Sequence, residues 1–182
     1  MKSTGVVRRI DGLGRVVLPK EIRKTLKLNS GDLLQIFIDK NQIIFEKYSP
    51  LSTFDKTTEA VIENLYQTAM IPVVITDKQT VVQATGDAKS LKGLKLSDEM
   101  VKTIEQKGSF IINFKDGGTA KKITELGDES EFLNQVIVPV LSAEKEPLGA
   151  IVMLDGNRDK ELGLKEIDLL NFASKMLTAE VD

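Results

Sequence analysis

The spacing of apolar and polar residues divides the chain into a strand-rich first quarter and a remainder in which strands alternate with helices. In the first quarter, Asp11-Gly12-Leu13-Gly14 predicts a turn and Asp39-Lys40-Asn41 predicts a hairpin. Between them, Pro19 begins a short helix over 20–28 with one apolar and one basic face. β-Branched and apolar residues around these features predict strands over 4–10, 15–18, 33–38 and 42–48.

The rest of the sequence predicts a sheet covered by helices. A junction helix ends near Ala69, and its apolar residues, Phe54 among them, recur at spacings of three and four. Ser52 or Thr53 is the expected cap of that helix. Further helices are predicted over 97–106, capped by Ser97, and over 164–178. Strands are predicted over 72–76, 80–85, 109–114, 121–126, 134–141 and 148–154. This order is typical of an α+β domain with an antiparallel sheet.

The hairpin of the first quarter needs cover on both faces, because apolar residues are adjacent in both of its strands. Leu33-Leu34 and Phe37-Ile38 lie in the first strand, and Ile43-Ile44-Phe45 lies in the second. A unit of about fifty residues buries too little surface to supply that cover alone. We therefore expect an obligate dimer with interleaved strands.

Composition removes most classes of enzyme. The 182 residues include no cysteine and no histidine, which excludes thiolate zinc sites, cysteine nucleophiles and histidine bases. The carboxylates show no spacing that singles out an acid–base or metal pair. No apolar run reaches the length of a membrane span, and no signal peptide is recognisable at the N-terminus. We expect a non-enzymatic cytoplasmic protein with no membrane partner and no cofactor.

Charge is distributed unevenly along the chain. Residues 1–50 contain ten basic and five acidic side chains, a charge of +5, so the remaining 132 residues carry −7. The basic helix face comprises Lys20, Arg23, Lys24 and Lys27. Arginine suits bidentate contacts with phosphate or guanine, so a polyanion partner is expected at this end of the chain. The alternatives are a solvated charged face and, for Arg15, an ion pair with Asp11 or Glu21.

The first fifty residues resemble AbrB-type transition-state regulators. The resemblance runs from Lys2 through Pro19, continues through Glu21–Leu26 and Gly31-Asp32, and ends at Lys47–Pro50. It implies a DNA-binding swapped-hairpin β-barrel, mainly β with a short helix, formed by two chains. It also implies contacts with double-stranded DNA from Arg8, Arg15, Arg23 and Lys24, where Lys24 replaces a frequent arginine. The neighbouring Arg9 completes the candidate DNA-binding set.

Residues 71–182 look like a GAF domain, with the junction helix at 51–70 as its first part. The similarity rests on Val136–Val140 and on Pro147–Val152. Together, the two ends resemble the stage V sporulation protein T group, which implies a tetramer. The signature of cyclic-nucleotide GAF domains is missing, so the presence and identity of a small-molecule effector stay open. Four residues near strand ends are candidates for a pocket border or for ordinary turns: Asp77, Gly86, Asp87 and Asp155.

These observations favour a sequence-tolerant, nucleoid-associated regulator of sporulation or stationary-phase genes. Its C-terminal domain is expected to tune DNA binding through a ligand or through assembly. The alternative is an antitoxin-like or oligomerisation module, in which the basic surface is secondary. Antitoxins share the swapped-hairpin fold but usually carry a short disordered toxin-binding tail.

Overall fold

A computed structural model describes residues 4–26, 28, 30, 32, 34–53 and 55–181. The chain forms two compact units, Met1–Tyr48 (unit 1) and Ser49–Asp182 (unit 2). Several residues used in the sequence predictions lie outside the described ranges: Lys27 of the basic helix face, Gly31, Leu33 and Phe54.

Unit 1 consists of a short helix and a two-stranded hairpin. The helix α1 spans Lys20–Thr25, directly after Pro19, and the antiparallel strands are β1 (Leu34–Asp39) and β2 (Gln42–Lys47). Lys40 turns the chain between them with φ of 51°. The predicted hairpin is therefore present. The predicted strands over 4–10 and 15–18 are not strands in this single chain, because a strand requires a hydrogen-bonded neighbour that periodicity alone cannot supply.

Four apolar side chains lie together on one face of the hairpin. The register pairs Ile36 with Phe45 and Ile38 with Ile43, so these four side chains share a side, which we call the apolar hairpin face. All four are exposed, and Ile38 is 81% exposed. Among the described residues, every side chain of the hydrophobic core lies at Leu51 or beyond. The described part of unit 1 thus has no apolar core within one chain.

Unit 2 is built on a five-stranded antiparallel sheet. Its strands are β3 (Val73–Thr76), β4 (Val81–Ala84), β5 (Phe110–Ile112), β6 (Asn134–Leu141) and β7 (Pro147–Asp155), in the order β4-β3-β7-β6-β5. The helices are α2 (Pro50–Thr53), α3 (Asp55–Ala69), α4 (Asp98–Glu105) and α5 (Leu164–Val181). Two 3₁₀ turns occupy Gly86–Leu91 and Phe114–Asp116.

Both faces of this sheet are buried. On one face, Val138 of β6 belongs to a cluster that includes Ile62 of α3 and Leu170 of α5. The preceding residue, Ile137, faces the opposite way and belongs to a second cluster, which includes Met100 of α4. The alternation of side chains along β6 therefore fills two cores, as expected of a strand buried on both faces.

Several element predictions are confirmed and others are wrong. β6 spans the predicted residues, and Ser97 caps α4 by accepting the Met100 N–H at 3.0 Å. The junction helix begins earlier than predicted, at Pro50, so Ser52 and Thr53 lie inside α2, and their hydroxyls donate to the Ser49 carbonyl. The predicted strand over 121–126 is wrong, since this segment contributes an isolated bridge between Leu96 and Thr124.

The far end of β6 extends beyond β5. The short strand β5 pairs with Gln135–Ile137, whereas β6 continues to Leu141. There, α5 supplies hydroxyl groups: Ser174 Oγ donates to the Pro139 carbonyl at 2.8 Å, and Thr178 Oγ1 donates to the Leu141 carbonyl at 2.7 Å. These bonds satisfy backbone carbonyls of β6 from a helix instead of a strand.

Candidate nucleic-acid interface

The loop from Asp11 to Arg15 is closed by its own backbone. The Gly14 N–H donates to the Asp11 carbonyl at 3.0 Å, and the Asp11 N–H donates to the Arg15 carbonyl at 3.0 Å. Gly14 has φ of 78°, a left-handed conformation that glycine adopts without steric cost. Aspartate at the first position and glycine at the fourth suit such a turn, so the local sequence accounts for the loop.

Arg15 is held against this loop by Asp11. Its Nε donates to Asp11 Oδ2 at 2.8 Å, while Asp11 Oδ1 accepts the N–H groups of Leu13 and Arg15 at 2.9 and 2.8 Å. These bonds, with those from Arg15 contributing most, lower the pKa of the Asp11 carboxyl below its ordinary value. The ion pair that the sequence left open as an alternative is therefore present, although the Arg15 side chain remains 71% exposed.

The other candidate residues occupy two further places in unit 1. Arg23 and Lys24 lie in the last turn of α1, and both are exposed. Arg8 and Arg9 are exposed in the irregular segment before the loop, where Arg8 Nη1 donates to the Val7 carbonyl at 3.2 Å. The structure thus joins Arg15 to Asp11 and leaves the adjacent pairs Arg8-Arg9 and Arg23-Lys24 accessible to solvent.

One ion pair of unit 1 was not predicted from the sequence. Lys47 Nζ lies 2.9 Å from Asp32 Oδ2, and both side chains are mostly shielded from solvent. The pair ties the end of β2 to the segment that precedes β1. No periodicity signals a contact across fifteen residues, so the sequence offered no cue for it. Lys47 is therefore engaged inside the unit, unlike the exposed arginines.

Unit 2 contains an open cavity of about 390 Å³ beside the start of β6. Its walls are fixed by buried amide groups: Gln135 exchanges two hydrogen bonds of 2.8 and 2.7 Å with the Lys121 backbone. Glu129 accepts the N–H groups of Ile123 and Thr124 at 2.6 and 2.8 Å. The lining includes Phe114, Lys121, Lys122, Glu129, Phe132 and Gln135.

The residues considered for a pocket border have the contacts of turn residues. Asp77 Oδ1 accepts the Gln79 and Thr80 N–H groups at 2.6 and 2.7 Å. Asp155 accepts the Asn157 N–H at 2.8 Å and pairs with Lys160 at 2.9 Å. Gly86 has φ of 56°, and Asp87 follows it in a 3₁₀ turn. None of the four lines the cavity beside β6.

A second concavity, an apolar groove of about 410 Å³, runs between α3 and α5. Phe172 lines it and is 64% exposed, and Met176 lies beside it on the same helix face. Leu65 and Ala60 contribute from α3. Within the described part of the chain, no helix is long and apolar enough to cross a membrane, and no cluster of three potential metal-ligating side chains occurs.

Two family models match the chain. Residues 52–182 match the model described as stage V sporulation protein T C-terminal, transcription factor. Residues 7–52 match the model described as antidote-toxin recognition MazE, bacterial antitoxin. The first match covers most of the chain, whereas the second covers only the N-terminal unit and its junction.

Similar proteins agree with the first match. Stage V sporulation protein T of Bacillus subtilis (strain 168) is 32% identical over 184 residues, spanning 100% of this chain and 99% of that protein. The transition state regulatory protein AbrB of the same organism is 49% identical over 65 residues, which are 36% of this chain and 68% of AbrB. The resemblance noted in the sequence is thereby confirmed.

A solved structure agrees with the fold of unit 2. The GAF-B domain of DevS from Mycobacterium smegmatis is 6% identical and covers 69% of this chain and 90% of its own, with a TM-score of 0.54. Likeness at this identity concerns the fold alone, and it confirms the predicted GAF-like α+β architecture. The chain belongs to the stage V sporulation protein T family of transcription factors.

Proposed function

We propose that this protein regulates transcription of sporulation or stationary-phase genes by binding double-stranded DNA through two copies of unit 1. The observation that carries the proposal is the set of exposed basic side chains on a unit of charge +5: Arg8, Arg9, Arg15, Arg23 and Lys24. In a symmetric dimer each appears twice, so about ten cations share one surface. Because the proposed partner is chromosomal DNA, we expect the protein in the cytoplasm, associated with the nucleoid.

The dimer follows from the exposed apolar residues of unit 1. Val7 is 85% exposed, and the apolar hairpin face is uncovered in a single chain. Exposed apolar patches of this kind mark association surfaces. A second copy that contributes its own hairpin and its residues 4–18 supplies the missing cover and the missing strand neighbours. This arrangement is the swapped-hairpin barrel that the AbrB resemblance implies.

Phosphate attraction supplies most of the binding in this mechanism. Each neutralised phosphate releases counterions, so the affinity falls steeply as salt rises. The helix α1 has only six residues, too few to act as a lone recognition helix. The loop with Arg15 and the segment with Arg8 therefore act with it, and sequence tolerance follows from reading DNA shape.

The test is DNA binding by the full chain across a salt series. We expect Arg15→Ala and Arg23→Ala to weaken binding at least about fivefold each and to reduce the salt dependence, while Lys165→Ala in unit 2 leaves it unchanged. Circular dichroism should show all three variants folded. Absence of binding by the unaltered chain at low salt, or binding independent of salt, would contradict the proposal.

We further propose that unit 2 assembles dimers into a tetramer through the groove between α3 and α5. The exposed Phe172 and Met176 give this groove the apolar character of a helix–helix interface. Phe172→Glu should reduce the mass of the particle to that of a dimer, whereas Lys165→Gln, an equal charge change elsewhere on α5, should not. A tetramer that persists in Phe172→Glu would exclude this face.

The cavity beside β6 is the place to seek an effector.

The alternative is an antitoxin-like module, favoured by the match over residues 7–52. In that case the main partner is a toxin protein, and DNA binding is secondary. The two-sided core of unit 2 argues against it, because a short disordered tail is the usual toxin-binding element. We also propose no catalytic activity, since the sequence lacks cysteine and histidine. Tight binding of a toxin without salt-dependent DNA binding would favour the alternative.

A further inference from the structure

Asp11 sits at a point where simple electrostatics and geometry make opposite predictions. Its carboxylate lies beside Arg15, and the candidate DNA-binding residues of this unit are all cations. A negative charge near a DNA-binding surface repels phosphate, so charge alone predicts that removing Asp11 tightens binding. The hydrogen bonds of the loop indicate the reverse.

We propose that Asp11 is a positioning residue for DNA binding, which holds the Arg15 guanidinium in the orientation that contacts DNA. This inference rests on the proposed function. The carboxylate is itself fixed, because Oδ1 accepts the backbone N–H groups of Leu13 and Arg15 at 2.9 and 2.8 Å. Oδ2 then receives Arg15 Nε at 2.8 Å.

Because Asp11 accepts its hydrogen bond from Nε, the Nη groups of Arg15 remain directed away from that contact. A guanidinium carries five N–H donors, and within the described hydrogen bonds Asp11 engages one of them. The four donors on the two Nη atoms form the outer edge of the group, and the side chain is 71% exposed. That edge presents two parallel donors and can make a bidentate contact with phosphate or guanine.

Restraint before binding has a direct benefit. A long, unrestrained arginine loses rotamer freedom when it binds, and that loss weakens the complex. Arg15 is already restrained by a charge-assisted bond to a carboxylate that two backbone groups hold in place. The restraint therefore acts on one side chain and leaves Arg23 and Lys24 on α1 unaffected.

The experiment compares two substitutions with the same change of charge. Asp11→Asn keeps an oxygen that can accept both backbone N–H groups but removes the acceptor of Arg15 Nε. Glu46→Gln neutralises an exposed carboxylate elsewhere in unit 1. With the full chain and a mixed-sequence duplex of about 30 base pairs, we expect Asp11→Asn to weaken binding about five- to tenfold and Glu46→Gln to leave it equal or slightly tighter.

A double-mutant cycle separates positioning from loop structure. In an Arg15→Ala background, Asp11→Asn should cause no further loss, because the residue it positions is gone. Equal losses in both backgrounds would assign Asp11 to the loop fold and overturn the inference. Unchanged or tighter binding by Asp11→Asn alone would overturn it too.

A second variant keeps the test decisive if Asp11→Asn folds poorly. Arg15→Lys preserves the charge, but one ammonium cannot pair with Asp11 and also present a fork to DNA. Its loss of affinity should approach that of Arg15→Ala, and wild-type affinity in Arg15→Lys would overturn the inference. If the unaltered chain binds no DNA, the proposed function fails together with this inference; if it binds and only these variants behave otherwise, this inference fails alone.

Discussion

Unit 2 buries both faces of its sheet within one chain, whereas unit 1 leaves the apolar hairpin face exposed. The difference does not lie in apolar content, since the strands of both units are rich in large apolar residues: isoleucine and phenylalanine in unit 1, and valine, isoleucine and leucine in unit 2. It lies in what covers them: α3, α4 and α5 pack on the sheet of unit 2, while the six-residue α1 buries none of its own side chains.

The comparison shows that the two units reach stability by different routes. Burying a large aliphatic or aromatic side chain contributes about 1.5–3 kcal/mol, so the four residues of the apolar hairpin face represent about 6 kcal/mol or more. Unit 2 gains such energy on folding, and unit 1 is expected to gain it on the association proposed above. Unit 1 is therefore expected to need a second chain in order to fold. Unit 2 is expected to fold within one chain and to gain only additional stability from the proposed tetramer.

The largest effect is expected from a charge on the apolar hairpin face. Ile38→Asp should destabilise the dimer by about 3–5 kcal/mol, because an uncompensated charge would be buried between chains. Gln35→Asp, on the opposite face of the same strand, is the control and should cost little. Sedimentation and denaturation of the full chain measure both. If Ile38→Asp leaves the dimer as stable as the unaltered protein, unit 1 does not depend on association through this face, and the contrast with unit 2 is wrong.

A smaller effect is expected inside unit 2. Asn113 donates to the Leu162 carbonyl and accepts the Leu162 N–H, both at 2.9 Å, and it is buried. Asn113→Ala leaves both backbone groups without these partners and should cost about 2–3 kcal/mol at any protein concentration. Asn157→Ala removes an exposed turn bond and should cost less than about 1 kcal/mol. In the Phe172→Glu background, where the proposed tetramer is absent, unfolding of unit 2 that still depends on protein concentration would contradict the self-sufficiency of unit 2.

The loop of unit 1 offers a matched pair of glycines. Gly14 has positive φ, whereas Gly12 does not, and an added Cβ meets open space at both. Gly14→Ala should therefore cost about 1–2 kcal/mol through backbone strain alone, and Gly12→Ala should be nearly neutral. Thermal unfolding of the full chain compares the two. Equal effects would show that the left-handed conformation at Gly14 is not maintained in the folded dimer.

The smallest effect concerns pH. The hydrogen bonds from Arg15 lower the pKa of Asp11, so their contribution is present above the ordinary aspartate pKa and is lost as pH falls through the lower, folded-state pKa. Carbon NMR of the Asp11 carboxyl should show its titration midpoint rising in Arg15→Gln. Asp128, whose pKa is lowered by Ser130 in unit 2, is the control and should not change. An unchanged Asp11 midpoint would contradict the ion pair in solution.

Local patterns predicted much of this structure. The apolar run within Asn134–Leu141, the hairpin around Lys40 and the Ser97 cap depend on neighbouring residues, so the local pattern and turn chemistry were sufficient to predict them. The Asp11–Arg15 pair was foreseeable for the same reason, since the partners are only four positions apart in the sequence. Strands, turns, caps and ion pairs that depend on residues close together in the chain can thus be predicted from the sequence.

Contacts between distant residues were not predicted. Asn113 meets Leu162 across 49 residues, and Gln135 binds the Lys121 backbone where a strand was expected. Polar residues in apolar strands give no sign of their partners. The strands expected over 4–10 and 15–18 are a different case, because their neighbours are proposed to come from another chain.

The hydroxyl groups on α5 have a consequence for how chains avoid aggregation. Ser174 and Thr178 occupy carbonyls at the uncovered end of β6, and Pro139 has no N–H to offer. An incoming strand would find few free partners there, which blocks the edge-to-edge growth that leads to fibrils. If the N-terminal hairpin pairs with a second copy as proposed, this edge of the other sheet is closed to similar pairing, and uncontrolled polymerisation through it is avoided.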